Sequence, residues 1–152
     1  MENLEVMLAV IETFGDELPA ACHGTCQEAW AIFDQLITKS GSDYSLCERI
    51  SRVLRLGINF FGDAVLPILG PVLFKMAIAF DSTDQSGYIW IIGKCISRFG
   101  NEENPTLREA YKDVYERIST KVLQLLHDKT PGRIPDGMSS ASSASSVVLT
   151  LL

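Results

Sequence analysis

Three arginines at every third position are the residues of this chain with the most specific chemistry. Arg49, Arg52 and Arg55 share one side of a helical wheel drawn at about 100° per residue, and successive members rise by about 4.5 Å along the axis. No lysine occurs between residues 43 and 61, in a chain whose net charge is -6. Because planar guanidinium groups bind phosphate and carboxylate through paired hydrogen bonds, this arginine ladder predicts an anion-binding surface.

The same arginines also fit a simpler interpretation, the solvated side of an amphipathic helix. Glu48 precedes Arg52 by one helical turn, and such pairs are common on exposed helix faces. The opposite side of the wheel is apolar and carries Leu46, Ile50, Val53, Leu54, Gly57 and Phe61. The spacing alone leaves both interpretations open.

A second candidate surface begins 35 residues after Arg55, where Trp90, Lys94 and Arg98 follow one another at intervals of four residues. A lysine one turn after a tryptophan can form a cation–π contact, and an exposed indole can stack against a ligand. In the alternative interpretation, a neighbouring repeat of a longer protein covers Trp90. These three residues and the three arginines of the ladder are the candidate partner-binding residues.

Four cysteines raise the question of a metal or a redox site. Cys22-His23-x-x-Cys26 has a metal-ligand spacing, but His127 is the only other histidine, and Cys47 and Cys95 stand singly. A tetrahedral site would lack ligands, so we expect ordinary reduced thiols and an intracellular protein. Phosphate-binding glycine loops and nucleophile elbows are absent from the sequence, and we therefore expect no catalysis, metal or cofactor.

The bulk composition narrows the partners. The chain has 152 residues, of which 47% are hydrophobic, so it can bury a core. Its net charge of -6 argues against general nucleic-acid binding. Its apolar runs, such as 89–92 and 147–152, are too short to cross a membrane. The acidic balance favours solubility or basic partners.

A repeated phrase predicts the architecture. Phe14-Gly15-Asp16, Phe61-Gly62-Asp63 and Phe99-Gly100-Asn101 each follow an isoleucine by three residues and precede a proline, and their glycines are 47 and 38 residues apart. This interval is typical of stacked helix pairs. Each phrase reads as a helix end with a left-handed glycine, followed by the start of the next helix.

The hydrophobic periodicity predicts six helices and no strands. Asp43, Asn104 and Pro105 provide start signals, and Pro67 lies in the first turn of the fourth helix, with a possible kink at Gly70-Pro71. The predicted ranges are 2–14, 21–39, 43–61, 64–80, 86–99 and 104–128.

Pairing the second helix with the third and the fourth with the fifth gives an all-α solenoid of HEAT type, with two full repeats flanked by half-repeats. We expect this solenoid to cover residues 1–129, with a partnerless first helix and an uncovered apolar stripe on the sixth. Residues 130–152 contain turn signals and a serine and alanine run, so we expect a disordered tail.

Three stretches resemble one known family. Residues 45–62, 65–69 and 86–100 are similar, in order and spacing, to the C-terminal half of transportin-SR and its fungal relatives, nuclear import receptors of the importin-β (karyopherin) superfamily. In that family an arginine-rich inner helix engages Arg-Ser-rich cargo, including its phosphoserines. The resemblance therefore implies a cargo role for Arg49, Arg52 and Arg55, whereas the next arginine of the family falls at Asn59.

The resemblance implies a non-enzymatic, cargo-binding segment that shuttles between nucleus and cytoplasm, binding Arg-Ser-rich or phosphorylated RNA-binding proteins. Ran would bind only through repeats that lie N-terminal to the matching region. The family continues past residues 134–136 into another inner helix, whereas this chain turns into the serine and alanine tail, as a truncated or frameshifted product would. The alternative function is a HEAT scaffold subunit of a cytoplasmic complex.

Overall fold

The computed structural model describes residues 6, 9, 23–101 and 103–127, and all of its regular secondary structure there is helical. Its helices are α1 His23–Ser40, α2 Tyr44–Phe61, a 3₁₀ helix Gly62–Ile68, α3 Leu69–Thr83, α4 Ser86–Phe99 and α5 Pro105–His127. Residues 6 and 9 are also helical, but the rest of the predicted helix 2–14, the Phe14-Gly15-Asp16 phrase and the tail 130–152 lie outside the described residues.

Helix α2 has the termini that its sequence predicts. The carboxylate of Asp43 accepts a hydrogen bond of 2.9 Å from the backbone N–H of Leu46, which satisfies one of the open donors of the first turn. At the other end Gly62 has φ +50°, a backbone conformation that residues with a Cβ rarely adopt. The arginines are therefore carried on one continuous helix with defined ends.

The prediction of a left-handed glycine is wrong at the third phrase. Gly100 follows α4 with φ -64° and ψ -21°, and its N–H donates a 2.8 Å bond to the carbonyl of Ile96. A Cβ at this position would lie 2.5 Å from that carbonyl oxygen. Glycine is used here for close approach and not for a positive φ.

The predicted fourth helix begins later than its periodicity suggested. Residues 62–68 form a 3₁₀ helix, and the α-helix starts at Leu69. Pro71 has no N–H to donate to the carbonyl of Pro67, and its ring opposes an α-helical turn through that residue. The α-helix therefore begins where Pro71 falls within its first turn, and no internal kink is needed.

Helix α5 begins as predicted at Pro105, with Asn104 as its cap. The side-chain oxygen of Asn104 accepts hydrogen bonds from the N–H groups of Thr106 and Leu107, at 3.0 and 3.4 Å. Pro105 occupies the first helical position, where a missing N–H has no cost. Local sequence signals therefore set this boundary.

The helices stack in two layers, as the predicted hairpins require. Helices α1, α3 and α5 form one layer, and α2 and α4, the second helices of the two hairpins, form the other. The core lies between the layers, and burying each large apolar side chain there contributes roughly 1.5 to 3 kcal/mol. Its largest fully buried members include Ile50, Leu69, Leu73, Met76, Phe80, Tyr88, Ile91, Ile92 and Phe99. The fold is an α-solenoid fragment.

The apolar stripe of α5 is covered, contrary to the prediction. Leu107, Val114 and Ile118 are buried because α5 packs along α3. Arg117 pairs with Asp81 at 3.3 Å, and Lys121 pairs with Asp84 at 2.8 Å. Exposed apolar side chains remain on the other side of α5, at Leu123 and Leu126.

The segment Tyr44–Thr83, which contains α2, the 3₁₀ helix and α3, is long and apolar enough to cross a membrane by length and composition alone. In the structure, 44% of its most apolar window is buried inside the protein. Core helices of the kind seen here meet the same criterion.

Candidate functional site

A groove runs between α2 and α4, with a cavity of about 400 Å³. It lies near the N-terminal ends of both helices, which belong to the same layer. Its lining consists of Tyr44, Cys47, Glu48, Ser51, Arg52, Arg55, Gln85, Ser86, Gly87 and Trp90. Members of both surfaces predicted from the sequence therefore meet in one cavity.

The floor of the groove is a close approach of α4 to α2 at Gly87. A Cβ on Gly87 would lie 2.5 Å from Ser51 Oγ and 3.0 Å from Cys47 Sγ, so only glycine fits without displacement. The hydroxyl of buried Ser51 donates a 2.7 Å hydrogen bond to the carbonyl of Cys47, its own helix neighbour one turn back. The close approach of Gly87 to Ser51 and Cys47 sets the distance between α2 and α4, the two walls of the groove.

Two long-range hydrogen bonds anchor the start of α4 beside the α1–α2 turn. The buried hydroxyl of Tyr88 donates to the carbonyl of Gly41 at 2.8 Å, and Gln85 Nε2 donates to the carbonyl of Ser42 at 2.7 Å. Burial raises the pKa of Tyr88 far above its ordinary value, so this phenol stays a donor throughout the physiological range. The wall that carries Trp90 is therefore held firmly.

Arg52 forms the predicted pair with Glu48. Their side chains approach to 3.6 Å, and each is 60% exposed. Exposed pairs of this kind contribute roughly 0 to 1 kcal/mol, because water screens the charges. The pair with Glu48 therefore contributes little to the stability of the fold.

Arg55 stacks on Trp90. The guanidinium carbon lies 5.0 Å from the centre of the indole ring, and Trp90 is 47% exposed. The sequence spacing suggested Lys94 as the cation for this ring, but the stacked cation comes from the neighbouring helix. The contact therefore joins the two walls of the groove with a charge and an aromatic face.

The remaining candidates lie outside the lining of this groove. Arg49 is exposed one rung before Arg52, because a step of three residues rotates each rung by about 60° around the helix. Arg98 lies near the C-terminal end of α2, with Nη2 3.6 Å from the Cβ position of Gly62. Lys94 is half-buried and lies between Trp90 and Arg98 along α4. The structure thus brings Arg52, Arg55 and Trp90 together. Cargo roles for all six candidate residues stay predictions.

Tyr44, Glu48 and Gln85 were not proposed as site residues from the sequence. Tyr44 is the first residue of α2 and is 61% exposed, whereas Gln85 immediately precedes α4. The predicted helix starts could have indicated these residues. The second helices of successive hairpins bring their N-termini to the same edge, so residues at those N-termini lie near one another. The positive ends of two helix dipoles then reinforce the arginines, and the groove favours anions.

Cys26, Cys47 and Cys95, the cysteines among the described residues, are buried. Burial raises the pKa of Cys47, at the groove floor, and raises the pKa of Cys26 to about 11. Neutral buried thiols are poor nucleophiles and poor metal ligands. Within residues 23–101 and 103–127, no cluster of three or more metal-ligating side chains occurs, whereas Cys22 and the His23 side chain lie outside the described part.

A larger hollow of about 650 Å³ lies between α3 and α5 in the other layer. Its cations are engaged in holding these helices together, since Arg117 pairs with Asp81 and also stacks on Phe74 at 5.9 Å. Lys121 is likewise bound to Asp84. This surface has a sufficient structural explanation, and the α2–α4 groove remains the candidate site.

The stacked helix hairpins define an α-solenoid protein, and the sequence places it in a family. Residues 20–126 match the family described as the fourth TPR domain of transportin-3 and importin-13. The match covers more than half of the chain, so the chain belongs to this family of importin-β-like helical-repeat proteins. TPR repeats and HEAT repeats are both stacks of antiparallel helix pairs.

One curated relative is an uncharacterized protein of Schizosaccharomyces pombe, which is 30% identical over 115 residues. The aligned region covers 72% of this chain but only 12% of that protein. No solved structure matches the chain significantly.

Proposed function

We propose that this chain is a cargo-binding segment of a nuclear import receptor of the transportin-SR type, and that the α2–α4 groove binds phosphorylated, Arg-Ser-rich protein segments. The observation that carries the proposal is the convergence of Arg52, Arg55 and Trp90 in one cavity. Membership of the transportin-3/importin-13 family supports the receptor role.

The chemistry of the groove suits a phosphoserine. A phosphate monoester carries about two negative charges at neutral pH and three acceptor oxygens, which two guanidinium groups can engage through charge-assisted hydrogen bonds. In the absence of ligand, Arg52 has a weak ion pair and Arg55 a cation–π contact. A dianion competes well against both partners.

The rest of the proposal follows from the receptor role. The segment holds its ligand without catalysing a reaction, and the intact protein moves between nucleus and cytoplasm. Its ligands are RNA-binding proteins with Arg-Ser-rich regions, and Ran is bound by repeats outside this chain. Neither nucleic acid nor a membrane is a direct partner.

The test is the binding of an Arg-Ser-repeat peptide, phosphorylated or unphosphorylated, to the 152-residue chain, measured by fluorescence anisotropy. The change R52A/R55A removes both guanidinium groups from the groove. Each hydrogen bond to a charged group is worth roughly 1.5 to 3 kcal/mol, so we expect affinity for the phosphopeptide to fall by about two or more powers of ten. Circular dichroism should stay unchanged, because both side chains are exposed.

A matched control is R108A/K112A on α5, which removes two exposed positive charges outside the groove. This variant should bind the phosphopeptide nearly as well as the unchanged chain. If both variants lost the same affinity for the phosphopeptide, the loss would come from the change in net charge, and the groove would have no role in binding. A cytoplasmic scaffold, the alternative function, has no reason to distinguish phosphorylated from unphosphorylated peptide.

A separate variant, R49A, decides how much of the arginine ladder takes part. If the phosphate is confined to the groove, R49A weakens binding much less than R52A or R55A. If Arg49 costs as much as its neighbours, the ligand follows the whole ladder along α2.

A further inference from the structure

We infer that the apolar segment 147–152 of this chain docks on an exposed apolar side of α5 and covers it. We call this side the α5 flank, and it consists of Tyr115, Val122, Leu123 and Leu126. Neither the segment nor the α5 flank takes part in the proposed cargo binding, so the inference does not depend on that function.

The surroundings of α5 leave this side open. Among the described residues, α1 packs against α2 and α3 packs against α4, so each of these two helices is covered by the helix that follows it. Helix α5 packs mainly along α3, its neighbour in the same layer. The place beside α5 that a following helix of a solenoid would take is therefore unfilled in the described part of the chain.

The α5 flank is apolar. Leu123 is 66% exposed and Leu126 is 54% exposed, whereas Tyr115 and Val122 are half-buried. On a helical wheel at about 100° per residue, these four side chains fall within an arc of about 100°. The ion pairs between α5 and α3 lie on the other side of the buried stripe. Apolar side chains grouped in this way favour an apolar partner.

The segment 147–152 has the composition that such a surface requires. It contains two valines, three leucines and one threonine, and it has no charged side chain. Residues 128–146, which precede it, carry four charged side chains, and their large apolar side chains, Ile134 and Met138, stand singly. The segment 147–152 is therefore the part of the chain after α5 that can cover two neighbouring leucines at once.

The linker between α5 and the segment is long enough for the contact. It has nineteen residues, 128–146, and a flexible linker of this length has a root-mean-square end-to-end distance of about 25 Å. Leu123 and Leu126 lie in the last two turns of α5, within this reach. The turn signals at 131–132 and 135–137 favour reversal of the chain. Such a tether gives a millimolar effective concentration, so a weak contact suffices.

The test is a double-mutant cycle in the 152-residue chain, measured by urea denaturation. V148D/L151D places two charges in the docking segment, and L123Q/L126Q replaces the exposed leucines with a residue of similar helix propensity. Each variant alone should raise the unfolding equilibrium constant by about three- to tenfold, because a tethered contact is lost. Combining the two should add little, since either change already removes the contact.

Two controls match these variants. S140D/S143D adds the same two charges to the linker and should leave stability unchanged. I32Q changes a comparably exposed side chain on α1, which is 61% exposed, and its effect should be additive with that of V148D/L151D. Binding of an apolar dye should increase in V148D/L151D, where the α5 flank is uncovered, but should not increase in S140D/S143D.

The outcomes decide between this inference and its alternatives. If the effects of V148D/L151D and L123Q/L126Q were additive, the segment would not contact the α5 flank, and the inference would be overturned. Stabilisation that grows with protein concentration would also overturn it, because the segment would then dock on a second copy. Coupling that is independent of concentration supports the inference. Phosphopeptide binding is not measured here, so the proposed function stands or fails separately.

Discussion

At the scale of single residues, the charged and aromatic side chains that line the groove are held in place but not buried. Arg52 and Glu48 are each 60% exposed, and Trp90 is 47% exposed. Their mutual contacts orient them at small energetic cost to an incoming ligand, since exposed pairs are worth roughly 0 to 1 kcal/mol. Rigidity comes instead from buried groups beneath them, such as Ser51 and Tyr88. The site therefore combines a firm floor with exchangeable surface contacts.

The buried thiol of Cys95 predicts a loss of stability at alkaline pH. Burial raises its pKa from 9.0 to about 12. The unfolded chain thus releases this proton from about pH 9, while the folded chain retains it until about pH 12. A raised pKa stabilises the fold below the unfolded value, and that contribution declines as pH rises through this window. The free energy of unfolding should fall by roughly 1.4 kcal/mol per pH unit from this group alone.

Urea denaturation between pH 8.5 and 10.5 measures the effect. C95A should be less stable at pH 8 but should lose less stability per pH unit than the unchanged chain. V53A, which removes buried apolar atoms without removing a titrating group, should lower stability while keeping the slope. An unchanged alkaline slope in C95A would mean that Cys95 ionises equally in both states.

At the scale of helices, the separation of α2 and α4 determines the shape of the groove. Helix starts were predictable because their signals are local: Asp43 caps α2, Asn104 caps α5, and the α4 range is Ser86–Phe99 as predicted. The 3₁₀ helix before α3 was missed because apolar periodicity continues through residues where proline prevents α-helical bonding. The conformation of Gly100 was missed because a glycine signals either positive φ or close contact.

Gly87 should control the packing of α2 against α4. In G87A the new methyl group meets Ser51 Oγ at 2.5 Å, and such overpacking typically costs about 1 to 3 kcal/mol. Adding S51A removes that atom, so the double variant should be more stable than the sum of the single changes predicts. Thermal and urea denaturation of the four proteins measure the coupling.

The control for this prediction is G93A, on the same helix. No atom lies within 4 Å of a Cβ at Gly93, and alanine is the better helix former by roughly 0.5 to 1 kcal/mol. This variant should therefore gain stability. If G87A also gained stability, the claim that α4 approaches α2 closely at Gly87 would be contradicted.

At the scale of the whole molecule, two layers of helices present different surfaces. The layer of α2 and α4 carries the groove, while α3 and α5 are joined across the other layer by ion pairs. Exposed apolar side chains occur on the outermost described helices, at Ile32 of α1 and Leu123 of α5. Neighbouring repeats of a solenoid pack on such surfaces, and the chain spans about 12% of the length of its Schizosaccharomyces pombe relative.

The site was only partly predictable at this scale. The arginine ladder and the helix that carries Trp90 were visible as separate patterns, because each depends on spacing within one helix. Arg55 and Trp90 are 35 positions apart in the sequence, and their contact depends on how α2 and α4 align. No local sequence pattern encodes that alignment. Coverage of the α5 stripe by α3 was missed for the same reason.

The most direct measurement of the central claim uses the fluorescence of Trp90. The chain has two tryptophans, and W30F leaves Trp90 as the sole indole, in the groove and under Arg55. Titration with the phosphorylated Arg-Ser peptide should produce a saturable change in emission, with the affinity that anisotropy gives. The unphosphorylated peptide, or R52A/R55A in the same background, should produce none at those concentrations. Binding of the phosphopeptide with no change in Trp90 emission would place the ligand elsewhere and contradict the assignment of the groove.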